Sequence, residues 1–247
     1  MEQKNLMHNF KRTGQILWVV HLGKRDFSRV WEMQKKLVHL RAKNVIPDVL
    51  LLVEHPPVIT LGRRAKKEHL LVPPDVLQKE GVGIFEIERG GDITYHGPGQ
   101  LVGYPIFLLP NGIRDVILFV RSLEEVLILT LRQFGVEGFR RKGFTGVWTS
   151  EGKIAAIGIA VKHNVTFHGF ALNVSPALEH FHWIVPCGIH NASVTSLKEI
   201  LGEAPSMEGV KSSVVLAFER VFELQVAHKE VAWLWSRYYQ SQGAPIG

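Results

Sequence analysis

Two spacings of apolar residues alternate along this chain. A repeat of roughly 3.6 residues predicts a helix over Asp26 to Leu40, with Phe27, Val30, Trp31, Leu37 and Val38 on one face. The strongest helical pattern runs from Arg114 to Phe134, where Val116, Val120, Leu123, Leu127, Leu131 and Phe134 share a face. Extended segments are predicted at Ile16 to Leu22, Val49 to Val53, Val58 to Leu61, Gly83 to Glu88, Ile93 to Tyr95 and Gln100 to Leu109. Gly146 to Thr149 and Lys153 to Val161 read as strands joined by the turn Ser150-Glu151-Gly152, and Val165 to Val174 as another strand. Ser196-Leu-Lys-Glu199 has the form of a capping box, so a short helix begins there. Val210 to Phe222 and Val226 to Tyr239 close the chain as predicted helices. Strands and helices do not alternate strictly. The expected fold class is therefore α/β (α+β), a mixed, largely antiparallel central sheet with flanking helices, rather than a doubly wound parallel sheet.

No repeat, low-complexity run or Ser/Pro-rich joint divides the 247 residues, so one domain over 1–247 is expected. The informative segments fall between about 17 and 201, and 202–247 is expected to be a helical C-terminal part. With 46% hydrophobic and 21% charged residues the composition is that of a soluble globular protein. No apolar run is long enough for a bilayer, and the polar start from Met1 to Lys11 lacks the apolar core of a secretory signal. The single cysteine, Cys187, excludes an internal disulfide and fits a reducing cytoplasm. A formal charge of +6 suits an acidic partner, with basic clusters at Arg63-Arg64/Lys66-Lys67 and Arg140-Arg141-Lys142, but no nucleic-acid motif accompanies it.

Four segments carry candidate chemistry. Arg89-Gly-Gly-Asp-Ile-Thr-Tyr-His96 joins arginine, hydroxyls and imidazole to glycines that let a ligand approach the backbone; it reads equally as a tight turn. Lys153, in Gly152-Lys153-Ile-Ala-Ala-Ile-Gly158, precedes a very apolar run. It is either a strand-end lysine in water or a partly desolvated proton carrier, and the glycine spacing rules out a phosphate-binding loop. His168 and Asn173 lie at an odd offset, so on a regular strand they face opposite sides. Cys187 sits between Pro186 and Gly188, on a turn, which suits an exposed nucleophile as well as a buried small side chain. His180, His182 and His190 flank it, at spacings that match no usual zinc pattern.

Together these segments resemble the lipoyl(octanoyl) transferase family. The resemblance rests on Glu54-His-Pro-Pro-Val-Ile-Thr-Leu-Gly-Arg63, the Arg89–Gln100 segment, Gly152–Gly158, His168-Gly-Phe-Ala-Leu-Asn173 and Pro186-Cys-Gly188, in the family's order. It implies a fold like the catalytic domains of biotin protein ligases and lipoate–protein ligases. It also implies transfer of octanoyl from acyl carrier protein to a lysine of lipoyl domains, in 2-oxoacid dehydrogenase acyltransferase subunits and the glycine-cleavage H protein. The resemblance implies a reaction without ATP, metal or other cofactor, and no nucleic-acid or membrane partner is expected. Cys187 maps to the acyl-thioester residue, and Lys153 to the lysine that acts as acid/base and lowers the thiol pKa. The substrate-binding positions map to Arg89, Gly90, Gly91, Asp92, Ile93, Thr94, Tyr95 and His96, to Ala156, Ile157 and Gly158, and to Gly169, Phe170 and Ala171. Phe170 departs from the leucine usual in the family, and its larger ring is expected to narrow an acyl tunnel and alter the chain-length preference.

The mechanism expected from this is ping-pong, with Lys153 handling the proton in both halves. Backbone N–H groups near Gly188 or Gly90–Gly91 hold the oxyanion, and Ile157, Tyr95 and Phe170 wall the acyl slot. The alternatives are an ATP-dependent lipoate or biotin ligase, an octanoyl amidotransferase between lipoyl-type proteins, and a non-catalytic acyl-carrier-binding module.

Overall fold

The computed structural model describes residues 11–188 and 193–233, without the side chain of Cys187. Strand β2 (Asp48–Glu54) shows how the sequence sets the architecture. Its Val-Leu-Leu-Leu-Val run has no polar face, and Asp48 to Val53 are all buried. Leu50 and Leu52 enter one core; Val49, Leu51 and Val53 enter another. Such a strand belongs inside a sheet covered on both sides. It is the third strand of eight, in the order β11 (Gln225–His228), β1 (Ile16–Lys24), β2, β6 (Gln100–Ile106), β10 (Val165–Asn173), β9 (Gly152–Lys162), β8 (Phe144–Thr149) and β7 (Phe139–Arg141). β1 is parallel to β11 and β2, and the remaining pairs are antiparallel, which is the mixed, largely antiparallel sheet expected.

One face of this sheet packs against helices α3 (Val116–Arg132) and α5 (Met207–Phe222). Phe107, Phe119, Phe218 and Phe222 form a contiguous group of rings there, with centroids 5.3–6.1 Å apart. The other face receives α1 (Phe27–Ala42) through Val30, Leu37 and Val38. A second sheet of three strands, β4 (Gly83–Glu86), β3 (Val58–Leu61) and β5 (Ile93–His96), has its own core of Ile59, Ile93, Tyr95, Phe181 and Ile184. The short helices α2 (Pro74–Lys79) and α4 (Leu197–Leu201) complete the described elements used below. Ser196 caps α4 as its sequence predicts, accepting from the Glu199 N–H at 3.2 Å. Among the described residues no helix is long and apolar enough to cross a membrane.

The C-terminal expectation needs correction. The predicted helix from Val226 begins instead as the strand β11, so 202–247 is not wholly helical. Glu223, at φ +56°, ends α5, and Gln225–His228 then pairs in parallel with β1. The open edge of β1 offers backbone partners that a solitary amphipathic segment cannot match. The part of the predicted helix beyond Trp233 lies outside the described residues. α2 had no apolar periodicity long enough to announce it.

Candidate active site

The two sheets and α1 enclose a cavity of about 580 Å³. Its floor is made by what β9 and β10 lack. Gly158 pairs with Gly169 across the strands, and Ala156 with Ala171, so a patch of four small residues faces the cavity. The glycines are also sterically required: a Cβ on Gly169 would overlap the carbonyl oxygen of Gly103, and one on Gly158 would sit 2.9 Å from the Gly90 oxygen. Ile157, Phe170, Val116 and Val120 add apolar wall.

Buried polar groups form the remaining wall. The Arg89 guanidinium donates to the Thr60 carbonyl at 2.6 Å and to its hydroxyl at 3.0 and 3.1 Å, which stiffens the Arg89–Gly91 loop. His96 Nδ1 donates to Gln100 Oε1 at 3.1 Å, while the Gln100 amide donates to the Tyr95 carbonyl. Burial pushes His96 down to about 3, helped by the nearby His55 and the Arg89 charge. Behind it, His55 Nδ1 donates to the Arg25 carbonyl at 2.6 Å and Nε2 accepts from the Tyr104 hydroxyl at 2.8 Å. Burial lowers His55 to about 4 against the pull of that carbonyl. His168 is likewise lowered by burial, against the opposing Glu88 carboxylate 3.4 Å from Nε2. These imidazoles are neutral at pH 7, so they make the wall polar and leave its positive charge to Arg89.

His168 adopts φ +57°, a left-handed conformation in mid-strand, and its N–H donates to Gln34 of α1 at 2.7 Å. That twist breaks the alternation. His168 lines the cavity, and Asn173 lines a small recess beside it while donating to the Thr195 carbonyl at 2.9 Å.

Lys153 lies at the start of β9 and is only 6% exposed, so it is not the water-facing strand-end lysine. Its side chain lines the cavity, with Nζ 5.5 Å from the Trp148 ring centre. Its backbone is bonded by the chain that returns from the cysteine segment: Lys153 N–H donates to Ser193 O at 2.8 Å, and Thr195 N–H to Lys153 O at 3.1 Å. Pro186–Gly188 forms a 3-10 turn, tied at one end by Val185 N–H to the His69 carbonyl at 2.8 Å. Gly188 has φ +68° and is pressed against Asp92 and His69; a Cβ there would lie 2.5 Å from Asp92 Oδ2 and 3.1 Å from His69 Cε1. Only glycine fits this backbone and this contact. Gly188, His69, Asp92 and Lys153 line the same cavity.

The cavity thus combines an apolar floor, the buried Lys153 and the turn that carries Cys187. The model of the lipoyl protein ligase A/B catalytic domain matches residues 26–219. The chain is 50% identical over 216 residues to an octanoyltransferase of Caldicellulosiruptor bescii, covering 86% of this chain and 95% of that one.

The chain belongs to the lipoyl protein ligase A/B catalytic family.

Within it the enzyme is an acyltransferase that moves octanoyl groups in protein lipoylation. Solved relatives share its fold at low identity. A putative lipoate protein ligase from T. acidophilum with bound lipoic acid superposes with a TM-score of 0.67 at 15% identity, over 93% of this chain and 95% of that one. A chain from the bipartite lipoate protein ligase system of Thermoplasma acidophilum, with its E2 lipoyl domain, gives 0.68 at 16%, over 92% and 91%.

In this transferase the segments singled out from sequence do converge. Arg89, Gly90, Gly91, Asp92, Thr94 and His96 line the cavity, with Ala156, Ile157, Gly158, Gly169, Phe170 and Ala171. Ile93 and Tyr95 do not: they point into the core of the small sheet, where the Tyr95 hydroxyl meets His180 Nδ1 at 2.7 Å. Tyr95 is therefore no wall of the acyl slot. Two of the expected oxyanion donors are engaged elsewhere, Gly188 N–H with Val185 O and Gly90 N–H with Ile159 O. The side chain of Cys187 and all of His190 lie outside the described residues. Sequence reasoning missed Phe144, Val116 and Val120 of the wall and the pair His69–Asp92. The helical face of α3 reads as core, and His69 belongs to no motif.

Proposed function

We propose that the transferase works through a thioester on Cys187, taking octanoyl from acyl carrier protein and giving it to a lysine of lipoyl domains. The observation that carries this is the buried Lys153, which shares one apolar-floored cavity with Gly188, the residue after Cys187. Lys153 takes the thiol proton, and the thiolate attacks the octanoyl thioester. One C–S bond forms and another breaks, so the exchange is nearly neutral in energy and needs no ATP. The carrier thiol leaves with the proton from Lys153. The acceptor lysine then attacks the acyl-enzyme, the C–N bond forms, and the thiol of Cys187 is released. The floor of Gly158, Gly169, Ala156 and Ala171 accepts the chain, with about 0.8 kcal/mol gained per methylene buried. A nucleophilic thiol of this kind suits a reducing cytoplasm.

Lipoyl domains as acceptors fit the E2 lipoyl domain of the Thermoplasma acidophilum system. Arg64 and Lys66, both exposed, line the mouth of the cavity and suit an acidic carrier protein. The test is transfer without ATP from octanoyl-carrier protein and from a small octanoyl thioester. Arg64→Glu with Lys66→Glu raises KM about tenfold for the carrier substrate only. Equal effects on both donors remove the steering, and a strict need for ATP returns the ligase reading.

A further inference from the structure

The cavity lined by Lys153 and Gly188 is also lined by a His–Asp pair, His69 and Asp92. His69 Nδ1 lies 2.6 Å from Asp92 Oδ2, with side-chain exposures of 9% and 12%. A carboxylate only accepts, so Nδ1 carries the hydrogen, and in the neutral ring Nε2 is the basic nitrogen. The ring edge at Cε1, the atom between the two nitrogens, abuts Gly188. The Asp92 carboxylate is itself fixed, accepting from the Ile93 N–H at 2.7 Å through Oδ1. Asp92 thus sets the tautomer and direction of the imidazole, and the backbone of His69 holds Val185 at the entry to the turn. His69 follows the exposed Arg64 and Lys66 in the chain and lines the same cavity as they do.

We infer that His69, oriented by Asp92, is the proton carrier for discharge of the acyl-enzyme, a role the single-lysine scheme gives to Lys153. The inference rests on the Cys187 thioester reading. The neutral ε-amine of the acceptor attacks the thioester carbonyl carbon and the C–N bond forms. His69 Nε2 takes one N–H proton, the C–S bond breaks, and the same proton passes to the sulfur of Cys187. Amide and thiol result, and His69 returns to its neutral form.

Single-turnover experiments on the full chain separate the halves. Octanoyl-carrier protein loads the enzyme, a lipoyl domain is added, and the adduct is followed by rapid-quench mass spectrometry. His69→Gln loads within about twofold of the wild-type rate and discharges about 100-fold more slowly. Asp92→Asn, which favours the wrong tautomer, also slows discharge selectively. His69→Ala regains discharge when free imidazole is added, a response that a merely structural prop does not give. Discharge at the wild-type rate in His69→Gln overturns the assignment. So does an equal loss in both halves with no imidazole rescue. A wild-type chain that forms no adduct removes the thioester reading and this assignment with it.

Discussion

The two faces of strands β9 and β10 are built on opposite rules. Toward α3 and α5 the strands present Ile154 and Leu172, closed by the rings of Phe218 and Phe222. Toward α1 and the small sheet, the same strands present the paired Gly158–Gly169 and Ala156–Ala171 and leave a cavity. One face maximises buried volume; the other is held open by missing side chains and lined by neutral imidazoles. Stability belongs to the first face and chemistry to the second, and substitutions should separate the two.

The largest effect is expected at Phe218, which is fully buried. Phe218→Ala leaves a cavity in the ring cluster and costs about 3–5 kcal/mol in urea unfolding, with little change in KM of the remaining folded enzyme. A loss under about 1 kcal/mol breaks the contrast. Next comes Gly158→Ala on the open face. Its Cβ meets the Gly90 carbonyl oxygen at 2.9 Å and Arg89 Cδ at 3.1 Å, so the Arg89–Gly90 loop that lines the cavity must shift. Activity on a small octanoyl thioester falls about tenfold, worth about 1.4 kcal/mol, while the urea midpoint changes little. Unchanged turnover would show that the floor does not receive the chain.

The smallest effect is pH-dependent. His55 and His96 are held near 4 and 3 in the folded chain, below the unfolded value near 6.5. Between those values the unfolded state binds more protons. Stability therefore falls as the pH drops below about 6.5 and goes on falling toward about 4. The urea midpoint should be lower at pH 5.5 than at pH 7.5, with a shallower slope in His96→Gln. An equal slope in that variant places the effect elsewhere.

The same contrast explains what was legible in the sequence. The closed face follows from periodicity: the unbroken apolar run of β2 and the helical repeat of α3 leave little choice of layer. The open face was visible as glycine-rich segments, but not which of their residues point where. In β5 the period of two sends Thr94 and His96 to the cavity and Ile93 and Tyr95 to the small core, although all four read as one site loop. The left-handed backbone at His168 is invisible in a strand pattern. His69 and Asp92 lie 23 positions apart on a turn and a loop, and only tertiary packing joins them. β11 is four residues long and half exposed, too short to show a period.

The measurement that bears most directly on the account is intact-protein mass spectrometry of the chain mixed with octanoyl-carrier protein, without ATP, beside Cys187→Ser and Lys153→Ala. A Cys187 thioester gives a single octanoyl adduct on the wild-type chain that hydroxylamine removes and a lipoyl domain discharges. It is absent from Cys187→Ser and slow to form in Lys153→Ala. An enzyme that octanoylates the domain at full rate as Cys187→Ser, with no adduct, would contradict it.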